Sequence, residues 1–408
     1  MDRTETLNTH PCRWEGKFVV LGVTGSIAAY KSAELVRRIQ DQGAEVQVVM
    51  TKTATRLMSP ETLKYLSGRK VLTELMEDDQ SWTIGHISLA EKADAYLVAP
   101  ATANIIAKMA YGLADDLLSS TLLASKKPLI VAPAMNDNMY SHPATQENLE
   151  TLHRRGTIIV SPGEGYLACG KIGTGRLADI PDILGALDYV LHPDKPLAGK
   201  KVLVSAGPTR EAIDPVRYLS NHSSGKMGYA IAEAAYNLGA NVTLVSGPVS
   251  LRPPYGVHTV PVISAAEMAE ALLDRFDDSD IVIMAAAVAD YRPSESSAHK
   301  IKKTDQPQDF SLAPTLDILK EMGQRKSRQV LVGFAAETDN LLQYAQSKID
   351  AKNLDFMVAN DVSQPGIGFG SDKNTVTFIT KSGVLETWGP APKWAVAERL
   401  FHHLNILG

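Results

Sequence analysis

Cysteine is scarce in this sequence, which has only Cys12 and Cys169 among 408 residues. Two cysteines so far apart exclude a disulfide framework and favour a reducing, cytoplasmic location. Long apolar runs are also lacking, since the longest, at residues 281–289, is strand-sized and well short of the roughly 20 residues that cross a membrane. The first sixteen residues carry no apolar segment of a secretory signal, so we interpret residues 1–16 as a flexible tail.

A strong excess of charge of one sign is absent as well. The formal net charge is −5 and the sequence pI is about 6.1, so nucleic acid and membrane are not expected partners. Hydrophobic residues make up 44% and charged residues 21%, as in an ordinary globular protein. A chain of 408 residues therefore predicts two domains with separate cores.

Short β-branched runs alternate with amphipathic helical stretches from residue 17 onward. This rhythm predicts an α/β protein with two doubly wound, mainly parallel sheets, whose ligands bind beyond the carboxyl ends of the strands. Two prolines interrupt it at residues 192–196, which we interpret as a linker between domains at 17–191 and 197–408. The strand candidates are 18–23, 46–50, 96–99, 129–132 and 157–160, then 201–205, 242–246, 281–286, 330–333 and 356–359, with a hairpin formed by 375–380 and 384–388.

The first predicted strand runs into a turn that suits a phosphate group. Gly25 permits a tight turn, and Ser26 can cap the following helix, whose free N–H groups attract anions. The spacing G-x-G-x-x-G is absent, which favours a mononucleotide over a dinucleotide. A plain glycine turn is the alternative that this pattern alone leaves open.

Three further segments of the first half favour a ligand-binding site over a plain glycine turn. Pro100, Ala101, Thr102 and Asn104 follow a strand and offer small side chains and backbone amides for a flat ring. Residues 133–140 follow the next strand and contain Asn136. The stretch from 163 to 175 holds five glycines around Cys169, and we predict a mobile lid rather than a helix or strand.

Four motifs in this half together resemble one family. Gly-Ser-Ile-Ala-Ala-Tyr-Lys, Pro-Ala-Thr-Ala-Asn, Pro-Ala-Met-Asn-x-x-Met and Ala-Cys-Gly-x-x-Gly-x-Gly-Arg are similar to the flavin-containing cysteine decarboxylases, which bind FMN. The resemblance covers roughly residues 17–190. It implies a flavodoxin-like or Rossmann-like domain in which Gly25, Ser26, Thr55, Pro100, Ala101, Thr102, Asn104 and Ser119 contact the flavin.

The resemblance also implies three catalytic residues. His86 is then the catalytic histidine, Asn136 holds the substrate carboxylate, and Cys169 on the lid supplies a proton for the final reduction. Direct loss of CO2 from a cysteine carboxylate leaves an unstabilised carbanion. Oxidation of the thiol to a thioaldehyde by the flavin would allow the C=S group to accept those electrons.

The second half repeats the strand-then-small-residue arrangement with different motifs. Residues 223–226, Ser-Ser-Gly-Lys, directly precede an amphipathic helix, and such a helix start can bind an anion. The segment does not have the spacing of a P-loop. Asp290 follows a strand, where it can accept hydrogen bonds from hydroxyl groups, and residues 300–303 are basic enough to neutralise phosphate. A Ser-capped helix and a solvated basic turn are the alternatives that these patterns leave open.

Residues 197–408 as a whole resemble the bacterial phosphopantothenate–cysteine ligases, fused to a decarboxylase in bifunctional enzymes. Asn-His-Ser-Ser-Gly-Lys-Met-Gly, Ala-Ala-Val-Ala-Asp-Tyr-Arg-Pro, Lys-Ile-Lys-Lys and Gly-Phe-Ala-Ala-Glu-Thr carry the resemblance. It implies a Rossmann-like domain that joins 4'-phosphopantothenate to L-cysteine through an acyl cytidylate, using CTP and Mg²⁺. Asn221 then stabilises the intermediate and Lys300 balances phosphate charge. The implied CTP contacts are Met284, Ala285, Ala286, Asp290, Lys300, Leu316, Asp317, Ile318, Leu319, Phe334, Lys348 and Lys352.

Two other interpretations compete with the bifunctional enzyme. The flavin domain could be a non-catalytic regulatory module, although the presence of His86, Asn136 and Cys169 argues against it. A flavin or prenyl-flavin decarboxylase with another substrate fits poorly with the attached ligase half. The family resemblance further implies a homo-oligomer, with trimeric flavin domains and dimeric ligase domains that are compatible with a dodecamer.

Overall fold

The computed structural model describes residues 12–75, 85–166, 170, 172–303, 308–337, 341–361 and 370–406. The chain divides into two compact units, Met1–Pro193 and Asp194–Gly408. The dividing point lies within the predicted linker at residues 192–196. Within the described ranges, no helix has both the length and the apolar character required to traverse a membrane.

The first unit is built on a five-stranded parallel sheet. Its strand order is β2-β1-β3-β4-β5, and every pairing is parallel. The β3 strand is buried along its whole length, as expected for a strand with both faces covered. The strands are β1 (Phe18–Val23), β2 (Glu45–Met50), β3 (Ala95–Ala101), β4 (Leu129–Pro133), β5 (Ile158–Ile159), β6 (Gly163–Tyr166) and β7 (Ile172–Arg176).

Helices connect these strands as the alternating pattern predicts. A short 3-10 helix, Ile27–Lys31, follows β1, and another, Ala54–Arg56, follows β2. The α-helices are α1 (Ser32–Asp41), α2 (Pro60–Ser67), α3 (Gly85–Lys92), α4 (Ala103–Tyr111), α5 (Leu117–Ala124), α6 (Asp137–Ser141), α7 (Pro143–Arg154) and α8 (Ile180–Leu191).

Two expectations for this unit were wrong. The glycine-rich stretch forms an antiparallel hairpin of β6 and β7, because a two-stranded ribbon needs backbone pairing more than side-chain packing. The chain before residue 17 is not wholly loose. Trp14 is 3% exposed, and its indole nitrogen donates to the buried carboxylate of Asp188 at 2.6 Å. The same carboxylate forms an ion pair with Arg13.

The second unit is built on an eight-stranded sheet in the order β12-β11-β8-β13-β16-β17-β18-β19. Pairing is parallel from β12 to β17 and antiparallel from β17 through β18 to β19. The strands are β8 (Lys201–Ala206), β9 (Arg210–Ala212), β10 (Tyr218–Ser220), β11 (Asn241–Ser246), β12 (His258–Pro261), β13 (Ile281–Met284), β14 (Tyr291–Pro293), β15 (Leu312–Pro314), β16 (Val330–Glu337), β17 (Phe356–Asp361), β18 (Lys373–Thr380) and β19 (Gly383–Pro392).

Helices cover both faces of this sheet. Along β13, Ile281 and Ile283 belong to one apolar core while Val282 and Met284 belong to the other, because successive side chains of a strand point to opposite faces. The predicted α/β class with doubly wound, mainly parallel sheets is therefore confirmed. The helices are α9 (Lys226–Asn237), α10 (Ala265–Phe276), α11 (Ile318–Arg325), α12 (Leu341–Ala351) and α13 (Lys393–Ile406).

Candidate active sites

The first cleft lies in the first unit, where residues that follow β1, β3 and β4 converge. Its volume is about 930 Å³, near the upper end of the range for small-molecule sites. Four of the predicted residues line it, namely Gly25, Ser26, Thr102 and Asn136. The remaining lining residues are Ile27, Ala28, Tyr30, Lys31, Ala134, Met135, Met139, Gly165, Gly175, Arg176 and Leu177.

The turn after β1 has the local structure that the sequence predicts. Ser26 is extended and caps the 3-10 helix, with its hydroxyl accepting from the N–H of Ala28 at 3.4 Å. A Cβ added at Gly25 would stand 2.4 Å from Cγ2 of Thr53, so only glycine allows this close approach. Thr24 Oγ1 donates to the carbonyl of Pro100 at 2.7 Å and accepts from Thr102 N–H at 3.0 Å. Thr24, which sequence reasoning missed, thus joins the ends of β1 and β3.

Asn136 stands at the start of α6, where its side-chain oxygen accepts from the N–H of Asn138 at 3.0 Å. This bond orients the amide on the rim of the cleft. The β7 strand passes directly behind the turn, since Met135 N–H donates to the carbonyl of Gly175 at 2.9 Å. A Cβ at Gly175 would come within 2.3 Å of the Met135 carbonyl oxygen, so a glycine is required there.

Two cations give the first cleft its charge. Burial and then the neighbouring Arg176 guanidinium lower the pKa of Lys31, while Asp179 and Glu34 oppose that shift. Arg176 also pairs with Asp179 at 3.1 Å. A partly buried site with two positive side chains favours an anionic group. Both residues lie within motifs quoted above, but neither was assigned a role.

The structure does not bring the other predicted flavin contacts to this cleft. Ser119 is 2% exposed and closes a capping box with Asp116, and it lines a separate cavity beside α4 and α5. Thr55 donates its hydroxyl to the Lys52 carbonyl at 2.9 Å. Pro100 and Ala101 lie within buried β3, while Asn104 is exposed on α4.

Two predicted catalytic residues of this unit cannot be placed in the cleft. His86 is the second residue of α3, and its side chain is outside the part of the chain that the structure describes. Cys169 is also outside the described residues. The β6–β7 hairpin that flanks Cys169 nevertheless borders the cleft through Gly165, Gly175 and Arg176.

The second cleft lies at the carboxyl ends of β8, β13 and β16 in the second unit. Its volume is about 490 Å³. It collects every predicted ligase residue except Lys300, including the catalytic candidate Asn221. The predicted residues that line it are Asn221, Met284, Ala285, Ala286, Asp290, Leu316, Asp317, Ile318, Leu319, Phe334, Lys348 and Lys352.

Backbone bonds and close contacts shape the wall of the second cleft. Asn221 donates its side-chain N–H to the carbonyl of Ala287 at 2.9 Å. Ser205 accepts from Ala286 N–H at 3.1 Å, which ties the end of β13 to β8. Gly228 packs so closely on β8 that an added Cβ would meet the Ser205 carbonyl oxygen at 2.9 Å. The start of α9 is therefore pressed against the sheet, with Ser223, Ser224 and Gly225 on the cleft surface.

Asp317 and Lys352 form an ion pair on the cleft wall. The closest nitrogen–oxygen distance is 2.8 Å, and Asp317 also caps α11 by accepting from Lys320 N–H at 3.0 Å. Burial works against ionisation of Asp317, but the bonds from Lys352 and Lys320 keep the pKa of its carboxyl below the ordinary value. This carboxylate stays ionised and orients the Lys352 ammonium.

Two further lysines contribute to the second cleft, and sequence reasoning missed one of them, Lys393. Lys226, which belongs to the predicted anion-binding segment 223–226, donates to the Gly370 carbonyl at 2.8 Å and to Asp372 at 2.6 Å. Lys393 is 9% exposed and donates to the side-chain oxygen of Asn374 at 2.8 Å. The sequence carries no signal for Lys393 beyond its place after a proline at a helix start, because its burial depends on the tertiary fold.

Lys300 is the predicted residue that the second cleft does not include. Its side chain is exposed on the loop before residue 304. That loop is anchored to the β9–β10 connection, where Asp214 accepts from Ile301 N–H at 3.1 Å and Arg217 donates to the Ile301 carbonyl at 2.9 Å. Among the residues with assigned positions, no group of three or more acidic, histidine or cysteine side chains could hold a metal ion.

Comparisons with known proteins match both units. Residues 197–407 match the family described as DNA/pantothenate metabolism flavoprotein C-terminal domain, and residues 8–192 match the family described as Flavoprotein. The Coenzyme A biosynthesis bifunctional protein CoaBC of Bacillus subtilis is 50% identical over 368 residues, covering 90% of this chain and 91% of the relative. The protein of the same name from Escherichia coli is 47% identical over 372 residues, covering 90% and 92%.

Solved structures match each half separately. The C-terminal domain of a CoaBC protein is 45% identical, with a TM-score of 0.46, and the match covers 52% of this chain and 98% of that one. The FMN-dependent cysteine decarboxylase SpaF is 33% identical, with a TM-score of 0.39, and the match covers 44% of this chain and 97% of that one.

Proposed function

This chain belongs to the family of bifunctional coenzyme A biosynthesis proteins, and from that premise we propose how its two clefts divide the chemistry. The protein is an enzyme that combines a phosphopantothenate–cysteine ligase with a phosphopantothenoylcysteine decarboxylase. The second cleft carries the ligase reaction and the first carries the decarboxylation. The main support for placing the ligase reaction in the second cleft is that eleven predicted nucleotide contacts and Asn221 line this one cavity.

The first cleft binds FMN in this proposal, and its residues fit that group. Gly25 and Gly175 leave room that a Cβ would fill, Ser26 begins a helical turn, and Lys31 with Arg176 supplies positive charge for a phosphate. Thr102 joins them at the cleft surface. When bound, FMN supplies the two-electron redox chemistry that allows a cysteine carboxylate to leave as CO2.

The protein's own residues then orient the substrate and move protons. Asn136 holds the substrate carboxylate, since its amide is fixed at the cleft rim by the start of α6. His86 acts as the catalytic histidine, and Cys169 donates the proton that completes the aminoethanethiol product. These two roles are supported by the motifs around both residues.

The second cleft binds CTP, 4'-phosphopantothenate and then cysteine. The phosphopantothenate carboxylate oxygen forms a bond to the α-phosphorus of CTP as pyrophosphate leaves. The cysteine amine then attacks the acyl carbon, and CMP leaves as the amide forms. Asn221 stabilises the acyl cytidylate, and Asp290, Lys348 and Lys352 contact the nucleotide. Mg²⁺ accompanies the triphosphate, as is usual for phosphoryl and nucleotidyl transfer.

The protein assembles as a homo-oligomer in this proposal, with trimers of the flavin domain and dimers of the ligase domain. Large apolar side chains stand exposed on the rim of the first cleft, namely Ile27 at 65%, Tyr30 at 64% and Met139 at 49%. Exposed apolar residues grouped around a cleft are typical of a surface that another chain covers. A second copy would then complete the flavin site.

The test supplies the full chain with phosphopantothenate, cysteine, CTP and Mg²⁺ and follows the products by mass spectrometry. We expect pyrophosphate, CMP, CO2 and phosphopantetheine, with FMN released when the yellow protein is denatured. Accumulation of phosphopantothenoylcysteine by protein fully loaded with FMN would contradict the assignment of the first cleft. Failure to form that intermediate would contradict the assignment of the second.

A further inference from the structure

The second cleft contains a buried cation whose partners carry no negative charge. Lys393 opens α13 and is 9% exposed, yet it borders the cleft. Its ammonium donates to the side-chain oxygen of Asn374 at 2.8 Å, to the Lys373 carbonyl at 3.5 Å and to the Ser371 carbonyl. All of these acceptors are neutral. Burying an ammonium without a carboxylate is costly, so the site is incomplete without an anion.

The other lysines with assigned partners around this cleft differ from Lys393. Lys352 pairs with Asp317 at 2.8 Å, and Lys226 pairs with Asp372 at 2.6 Å. Within the described ranges, Lys393 forms hydrogen bonds but no ion pair of this kind. Its charge is therefore the one that a bound anion would compensate most.

We propose that Lys393 is a further nucleotide-binding residue of the ligase cleft and that its ammonium meets the phosphate tail of the nucleoside triphosphate. This inference rests on the proposed function of the second cleft. Lys393 lies beside Lys226 at the start of α9, where Ser223, Ser224 and Gly225 already form an anion-ready surface. The two outer phosphates of the nucleotide supply the negative charge that the hydrogen-bond partners of Lys393 lack.

Several groups act on the Lys393 ammonium before a ligand arrives. Burial and then the like charge of Lys226 lower its pKa to about 8, while Asp372 opposes the shift. The positive end of α13 adds to the repulsion, because Lys393 is the first residue of that helix. At pH 8.5, above this pKa, a substantial part of the free protein holds Lys393 neutral. An anionic tail favours the ammonium, so binding of the triphosphate takes up a proton.

The same contacts give Lys393 a structural role that the experiment must separate from anion binding. Lys393 and Lys226 both donate to the segment 370–374, and together they hold this wall of the cleft in place. If Lys393 acted only as a clamp, its loss would weaken every cleft ligand alike. If it meets the phosphate tail, its loss weakens CTP far more than CMP, which lacks the two outer phosphates.

The experiment titrates the full chain with CTP and Mg²⁺, and separately with CMP and Mg²⁺, by calorimetry at pH 8.5. Each titration is run in two buffers of different ionisation enthalpy, so that proton uptake is measured directly. We expect uptake with CTP but little with CMP. In Lys393→Gln, the Kd for CTP should rise about tenfold or more, the Kd for CMP should change less than twofold, and the uptake should vanish. Lys373→Gln, which removes an exposed lysine of the same segment, should leave both measurements unchanged.

Different results would overturn the proposal. Equal weakening of CTP and CMP in Lys393→Gln would assign Lys393 to the clamp alone. If the variant does not fold, the proton uptake of the wild-type protein tests the proposal instead. Equal uptake with CTP and with CMP would contradict contact between Lys393 and the outer phosphates. If wild-type protein binds no CTP, the proposed function of the cleft fails together with this inference. Normal CTP binding without differential proton uptake removes the inference only.

Discussion

Asp214 is a buried carboxylate that fixes the loop carrying Lys300. It accepts from the N–H groups of Val216 and Arg217 at 2.8 Å each, and from Ile301 N–H at 3.1 Å. The Arg217 guanidinium and these backbone bonds hold the pKa of Asp214 well below its ordinary value. The loop that precedes residue 304 is thus tied to the β9–β10 connection by an ionised side chain.

Replacing Asp214 tests whether this anchor supports the ligase reaction. We expect Asp214→Asn to lower kcat/KM for the ligase about tenfold, because a neutral amide cannot accept from both Arg217 and Ile301 in the same way. The decarboxylation of added phosphopantothenoylcysteine, measured as CO2 on the same preparation, serves as the control. An unchanged ligase rate would show that the position of Lys300 does not matter to the reaction.

Single residues also show what sequence patterns can and cannot reveal. Small residues and Asp290 of the second cleft could be predicted because they follow a strand directly, whereas the family resemblance implied Lys348 and Lys352. Lys393 could not be predicted, since its burial depends on distant packing against Asn374. Ser119, a flavin contact implied by the resemblance, completes the Asp116 capping box with its hydroxyl. Lys300 matches its motif yet does not line the cleft.

At the scale of elements, the β6–β7 hairpin positions the turn that carries Asn136. The Met135 N–H donates to the carbonyl of Gly175, and the backbones approach too closely there for a side chain. We expect Gly175→Ala to displace this turn and to reduce decarboxylation at least tenfold, with ligation unchanged. Gly163→Ala in the same hairpin is the matched control, because its added Cβ would have 4.0 Å to the nearest atom. Equal activity of the two variants would contradict a positioning role for β7.

The contact between β19 and α13 makes the second unit sensitive to acid. Glu386 accepts from Arg399 at 2.8 and 2.9 Å and bonds His403 at 2.9 Å, which lowers the pKa of Glu386 to about 2. A carboxyl with a depressed pKa stabilises the fold fully above its unfolded value near 4.5 and loses that contribution as pH falls toward 2.

We therefore expect Glu386→Gln to reduce the free energy of unfolding at pH 7 by roughly 1–2 kcal/mol. The difference from wild type should shrink as the pH falls from 4.5 toward 2, because the unfolded chain takes up a proton at this carboxylate while the folded protein still holds it ionised. Urea unfolding followed by the fluorescence of Trp388 and Trp394 measures this. Glu398→Gln on α13 is the comparison for loss of one negative charge. A difference that stays constant down to pH 3 would assign the effect to packing.

Regular elements were predictable to the extent that their own side chains determine them. The runs that became β1, β8 and β13 are apolar and β-branched, so burial on two faces follows from the sequence. The hairpin in the glycine-rich stretch was missed because backbone pairing, rather than side-chain character, holds it. The short pairs β9–β10 and β14–β15 have three residues per strand and leave no periodic signal.

At the scale of the whole molecule, the length and the restart of the strand rhythm near residue 197 favoured two domains. The structure contains two compact units, each with its own sheet and cleft. Sequence patterns could not reveal that Arg13 and Trp14 contact α8, since both do so through a single buried aspartate, Asp188. Such long-range pairs appear only after folding.

The proposed function requires two chemically separate sites in one polypeptide. Its most direct test assays Asn221→Asp and Asn136→Ala separately, each with phosphopantothenate plus cysteine, CTP and Mg²⁺, and each with phosphopantothenoylcysteine alone. We predict that Asn221→Asp releases CO2 only from phosphopantothenoylcysteine, whereas Asn136→Ala converts phosphopantothenate to phosphopantothenoylcysteine and stops there. Loss of both activities in either folded variant would contradict the account.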